Sequence, residues 1–120
     1  MRLRPRLRDG AFAFVLLPPD VGLSELEALG VVATMRDESG LTVVLEVAAA
    51  NARGLPVLFE AAWITLEADT DLGAVGITAS FARVLAGAGI ACNVIAGARH
   101  DHLFVPLARG AEAVALLRQE

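Results

Sequence analysis

The sequence has no lysine and no tyrosine, and its aromatic residues are one Trp and five Phe, 5% of the chain. Surfaces that bind nucleic acid need clustered cations and aromatic platforms for base stacking. Here the ten cations are all arginine, with Arg2, Arg4, Arg6 and Arg8 at the start, the others scattered, and a net charge of -4. Nucleic acid and anionic membrane are therefore not expected partners. A single cysteine, Cys92, can form no internal disulfide, which agrees with a reducing, cytoplasmic compartment. Long hydrophobic runs are also missing. The apolar stretch from Ala11 to Leu17 is halted by Pro18, Pro19 and Asp20, far short of the roughly 20 residues a membrane-spanning helix needs. Basic residues ahead of that stretch imitate a secretory signal, but the run is short and no small-x-small cleavage site follows. The alternation of basic and apolar residues suits an entering strand or a loose tail, and residues 1–9 are assigned as a basic N-terminal tail.

What remains is rich in Ala, Val, Leu and Ile, 56% hydrophobic in all, within 120 residues. That length fits one domain or two very small units sharing a core. Phe12 to Leu17, bounded by Gly10 and the proline pair, reads as a buried strand. Ser24 is placed to cap a short helix through Leu29 that Gly30 ends. Val31–Met35 and Leu41–Val47, separated by Arg36-Asp37-Glu38-Ser39-Gly40, read as a hairpin, and Ala48–Arg53 as a helical turn before Gly54. Trp63–Ala68 alternates like a strand. Asp69-Thr70-Asp71 then offers N-cap chemistry for a helix from about Leu72 to Ala88, with Val75, Ala79, Ala82 and Leu85 as its apolar stripe and Gly89 as its stop. Strands at Ile90–Ala96 and His102–Val105 and a helix at Ala111–Leu117 complete a β-α-β-β-α order. The expected fold is α+β: two ferredoxin-like βαββαβ units, residues 10–60 and 61–120, the first shortened, with a strand lent between them from Leu55–Glu60.

Four segments carry a family resemblance: Trp63-Ile64-Thr65-Leu66, Leu72-Gly73-Ala74-Val75-Gly76-Ile77-Thr78-Ala79, Ala88 through Gly97, and His100-Asp101-His102-Leu103-Phe104-Val105-Pro106. Together with Met35 through Glu46 they resemble the ACT-domain superfamily, in particular small bacterial proteins built of tandem ACT-like units. The likeness covers about residues 10–118 and extends to the regulatory units of aspartate kinases and to the eukaryotic cytosolic arginine sensor. It implies a non-enzymatic regulatory protein that binds an amino acid or related metabolite, needs no cofactor, and associates as a homodimer. By position, the resemblance places the ligand against Asp69, Leu72, Gly73, Val75, Gly76 and Ile77 at the helix entrance. Gly97, Ala98, Arg99 and Asp101 form the facing turn, and Thr42 with Val43 a hairpin strand of the other unit. Many relatives carry paired aromatics where this chain has Ala98 and Arg99, so arginine is not carried over as the ligand.

An amino-acid ligand needs N–H donors for its carboxylate and an acid for its ammonium. Backbone N–H groups at the expected helix start, Leu72–Val75, suit the first, and Asp101 suits the second. Each residue also has a structural reading: Asp69 and Asp71 as plain N-caps, Gly76 as an aid to helix-sheet packing, Asp101 as a turn former. His100 and His102 at i and i+2 raise a metal site, and Cys92 near them a thiol enzyme, but neither has a second ligand cluster or an oriented base in the sequence. The alternatives to the regulatory reading are a ligand-free oligomerisation module and, more remotely, a metal-dependent or thiol enzyme.

Overall fold

A computed structural model describes residues 3–67 and 72–120. In chain order the elements are β1 Arg4–Leu7, β2 Phe12–Leu17, α1 Leu23–Leu29, β3 Ala33–Asp37, β4 Gly40–Glu46, α2 Val47–Ala52, β5 Phe59–Glu67, α3 Ile77–Gly87, β6 Asn93–Ala96 and β7 Asp101–Pro106. A 3₁₀ turn at Leu107–Arg109 then leads into α4, Gly110–Leu117. They form two compact units, residues 10–61 and residues 62–120 together with 1–9.

In the 10–61 unit the strands lie in the order β3-β4-β2-β5. The hairpin of β3 and β4 closes over Glu38 and Ser39, with Asp37 facing Gly40. Ser39 N–H donates to Asp37 Oδ1 at 2.8 Å, the short-range bond that makes Asp a turn former. Val15, Val43 and Leu45 are fully buried and pack with Leu29 of α1 and Ala50 of α2. Ser24 does not cap α1: the helix begins at Leu23, with the extended Gly22 as its N-cap and no side-chain bond there. Leu26 N–H instead donates to the Gly22 carbonyl, which puts Ser24 inside the first turn.

Helices α1, α2 and α3 end in the same way. Gly30, Gly54 and Gly89 take left-handed φ values of 69°, 64° and 71°, a conformation costly for any residue with a Cβ. The following residue's N–H then bonds back to the carbonyl five positions earlier: Val31 to Leu26, Leu55 to Ala50, Ile90 to Leu85.

In the other unit the order is β1-β5-β7-β6. The stretch expected to be a tail is a strand: β1 runs antiparallel to β5, with Arg4 opposite Glu67 and Leu7 opposite Ile64. Its alternation explains this, since Pro5 lies opposite the core residue Leu66 while the arginines keep their charged heads in water. Strand β5 serves both units. Residues 59–61 pair with β2, so strand lending starts at Phe59, within the nominated 55–60, and β5 extends to Glu67. Phe81 and Leu85 of α3 and Leu117 of α4 are fully buried against Ile64, Leu66, Leu103 and Val105. Burial of each such side chain stabilises the unit by about 1.5–3 kcal/mol.

Helix α3 starts at Ile77, five residues later than expected. The turn before it, Leu72-Gly73-Ala74-Val75-Gly76, holds two glycines, poor helix formers, and Val75 is 95% exposed. The buried stripe is accordingly Ile77, Phe81 and Leu85, not the series through Val75, Ala79 and Ala82. Asp69, Thr70 and Asp71 lie outside the described residues. Among the described residues no helix is long and apolar enough to cross a membrane.

Candidate functional site

The start of α3 and the turn from β6 to β7 face one another across a groove of about 120 Å³. Gly76 caps the helix at φ 92°, with no side-chain cap bond, and its position opens to space rather than to a packed neighbour. A left-handed turn, and not tight packing, is thus what requires glycine here. The first intrahelical bond runs from Ser80 N–H to the Gly76 carbonyl. Ile77, Thr78 and Ala79 therefore present N–H groups with no helical acceptor, at the positive end of an 11-residue helix. These three replace Leu72–Val75 as the helix-start donors.

The opposite wall is a tight turn. Gly97 N–H donates to the His100 carbonyl at 2.9 Å, and Ala96 pairs with Asp101. A Cβ on Gly97 would sit 2.9 Å from that carbonyl and 3.3 Å from His102 Nε2, so the turn has no room for a side chain.

Of the expected site residues, Leu72, Ile77, Gly97, Ala98, Arg99 and Asp101 line the groove. Gly73, Val75 and Gly76 lie in the turn but do not line it. Asp69 is outside the described residues. Thr42 and Val43 belong to the 10–61 unit, where Val43 is fully buried in the core and its side chain has no surface to offer. Sequence reasoning did not select Leu66, Thr78 and Ala96 as lining residues, whereas His100 lies within the nominated 97–101 turn. Thr78 would have followed from recognising Gly76 as the helix start.

Behind the groove, on the face of β5 opposite Ile64 and Leu66, lies a polar cluster. Trp63 Nε1–H donates to His102 Nδ1 at 3.0 Å. Arg8 stacks its guanidinium 4.2 Å from the Trp63 ring centre, and its Nε–H donates to the fully buried Thr65 hydroxyl at 2.9 Å. Phe104 stacks on the other side of the network, 5.7 Å from the indole. Because Nδ1 accepts, the His102 proton sits on Nε2 and the ring is neutral. Partial burial, then the charges of Arg8 and His100, hold its pKa below the usual histidine value, against the opposing pull of Asp101. Of the i, i+2 histidine pair, His100 precedes β7 in the turn, and His102 has its Nδ1 engaged by Trp63. Among the described residues no three metal-ligating side chains cluster.

The helices and the strand orders β3-β4-β2-β5 and β1-β5-β7-β6 define two ferredoxin-like units. The chain belongs to the ACT domain family, whose sequence profiles match it twice, over residues 1–62 and 58–119. Among solved structures, protein VC0802 from Vibrio cholerae, described as of unknown function and a possible transport protein, is 38% identical with a TM-score of 0.89. The match covers 98% of this chain and 88% of that one. Protein Atu0741 from Agrobacterium tumefaciens superposes with a TM-score of 0.74 at 17% identity, over 99% of this chain and 89% of its own. The ligand-free regulatory subunit of aspartate kinase from Thermus thermophilus shares the fold, with a TM-score of 0.66 at 11% identity, covering 96% and 95%. No curated protein matches the sequence.

Proposed function

We propose that this protein is a regulatory module that binds an amino acid, or a metabolite of that chemistry, in the groove between α3 and the 97–101 turn. The observation that carries the reading is that two residues with free helix-start N–H groups, Ile77 and Thr78, line the same small cavity as Asp101. The donors suit an α-carboxylate and Asp101 suits an α-ammonium group. The likeness to aspartate kinase regulatory subunits supports a regulatory role. Binding would act through association, with itself as a homodimer or with another protein. A coupling of about 1–3 kcal/mol between ligand and association state is sufficient for such a switch.

Two other readings are weaker. Exposed Leu23, Met35 and Leu58 in the 10–61 unit favour an oligomerisation module without a ligand. A thiol enzyme needs an activated thiolate, whereas burial pushes the Cys92 thiol up to about 11. The test is a thermal-shift screen of the twenty amino acids, followed by calorimetry on any hit with Asp101→Asn. Stabilisation by at least one amino acid is expected, with about tenfold or greater loss of affinity in the variant. No stabilisation by any of them would leave the oligomerisation module as the better reading.

A further inference from the structure

We infer that the groove selects an amino acid whose side chain carries a second anionic group, and that Arg99 is the specificity-determining residue; this rests on the reading above. Three charged features border the cavity among the described residues with an assigned sign. The α3 start is positive, Arg99 is positive and Asp101 is negative. A ligand with one carboxylate and one ammonium would answer the helix start and Asp101 and leave Arg99 unanswered.

Arg99 is not occupied elsewhere. Arg6 pairs with Glu67, Arg8 bonds Thr65, and Arg109 binds Glu112 and the carbonyls of Ala88 and Gly89. Among the described residues the Arg99 side chain makes no hydrogen bond or ion pair, as is also true of Arg36, Arg53, Arg83 and Arg118, but Arg99 alone of these lines the groove. The Asp101 side chain likewise makes no hydrogen bond or ion pair among the described residues, although its charge acts on His102. Both are held in place by the backbone of the turn, through the Gly97–His100 bond and the Ala96–Asp101 pair. A guanidinium is suited to this task because its fork of N–H donors matches a carboxylate geometrically. A basic side chain in the same place would meet Arg99 with like charge. The overall charge of -4 does not reverse the preference, since charges beyond about 8 Å are screened at physiological ionic strength while those in the groove are not.

The experiment is isothermal calorimetry of the whole chain with four probes, L-glutamate, L-aspartate and their neutral isosteres L-glutamine and L-asparagine, and with L-lysine and L-arginine as opposite-charge controls. An acid over its own amide by about two- to fivefold is expected, the size of an exposed ion pair. Arg99→Gln should bring that ratio close to one, and Arg99→Glu should turn the preference toward lysine or arginine. Because Arg99 is exposed and unpaired, both variants should fold like the parent, and circular dichroism checks this. Binding of glutamine or lysine as tight as glutamate, or an acid preference unchanged in Arg99→Gln, would overturn the inference while leaving amino-acid binding intact. Binding of none of the six would count against both the inference and the regulatory reading.

Discussion

At the scale of single residues, His102 links the groove to the cluster behind it. Its Nδ1 accepts the indole N–H of Trp63, and its Nε2 edge lies against the Gly97 turn. Protonation would make both ring nitrogens donors, leaving Trp63 Nε1–H facing an N–H. Burial opposes the charged form first, and Arg8, His100 and Arg6 oppose it further, with Asp101 alone favouring it. The folded pKa is thus below the unfolded one, so in the interval between them the unfolded chain binds more protons. Stability contributed by neutral His102 is complete above about pH 6.5 and is lost as the pH falls toward the depressed folded pKa. His102→Asn keeps an oxygen acceptor for Trp63 and removes the titration. Urea unfolding midpoints followed from pH 7.5 to 5 should fall more steeply in the parent than in the variant. Parallel profiles would mean that His102 titrates alike in both states.

Elements are fixed by contacts of different range, and this decides which of them the sequence displays. The β3–β4 hairpin and the glycine stops at Gly30, Gly54 and Gly89 were legible because their chemistry lies within a few residues. The start of α3 was misplaced because the cap signal in Asp69–Asp71 outweighed the two glycines that actually precede the helix. With it went the free N–H groups of the helix start, Ile77–Ala79, whereas residues 97–101, which line the groove, were nominated through the family resemblance. β1 looked like a tail because its partner lies some 60 residues away, at Ile64–Glu67. Close approach of elements is equally invisible in sequence. Gly110, the first residue of α4, looks like a helix-weakening position at which alanine should gain up to about 1 kcal/mol. Yet a Cβ there would lie 2.8 Å from Ala62 Cβ, an atom fixed to the β5 backbone, and 3.1 Å from Leu7 Cδ1. Only Leu7 can move aside. Overpacking of this kind costs about 1–3 kcal/mol, so Gly110→Ala is expected to be net destabilising by roughly 1 kcal/mol, read from the urea midpoint. A variant as stable as the parent would show that α4 can retreat from the sheet without loss.

For the molecule as a whole, the consequence of the topology is that chain order and unit order differ. The unit made of residues 62–120 is completed by the first residues of the chain, so cutting between residues 61 and 62 does not yield its full strand set. Removal of residues 1–9 would take away the pairing of β1 with β5, the buried Leu3, and the Arg8 contacts to Thr65 and Trp63. Loss of the Leu3 burial alone is worth about 1.5–3 kcal/mol. For a domain of this size each kcal/mol shifts the melting temperature by about 4–8 °C. The truncated chain should therefore melt about 10 °C or more below the parent. Trp63, the sole tryptophan, belongs to the 62–120 unit and makes its fluorescence a local reporter of that loss. Tryptophan emission in the truncated chain should shift to the red and its transition should fall, and a synthetic peptide of residues 1–9 added at high concentration should move both back. An unchanged melting temperature together with unchanged emission would mean that β1 contributes nothing to the unit it closes.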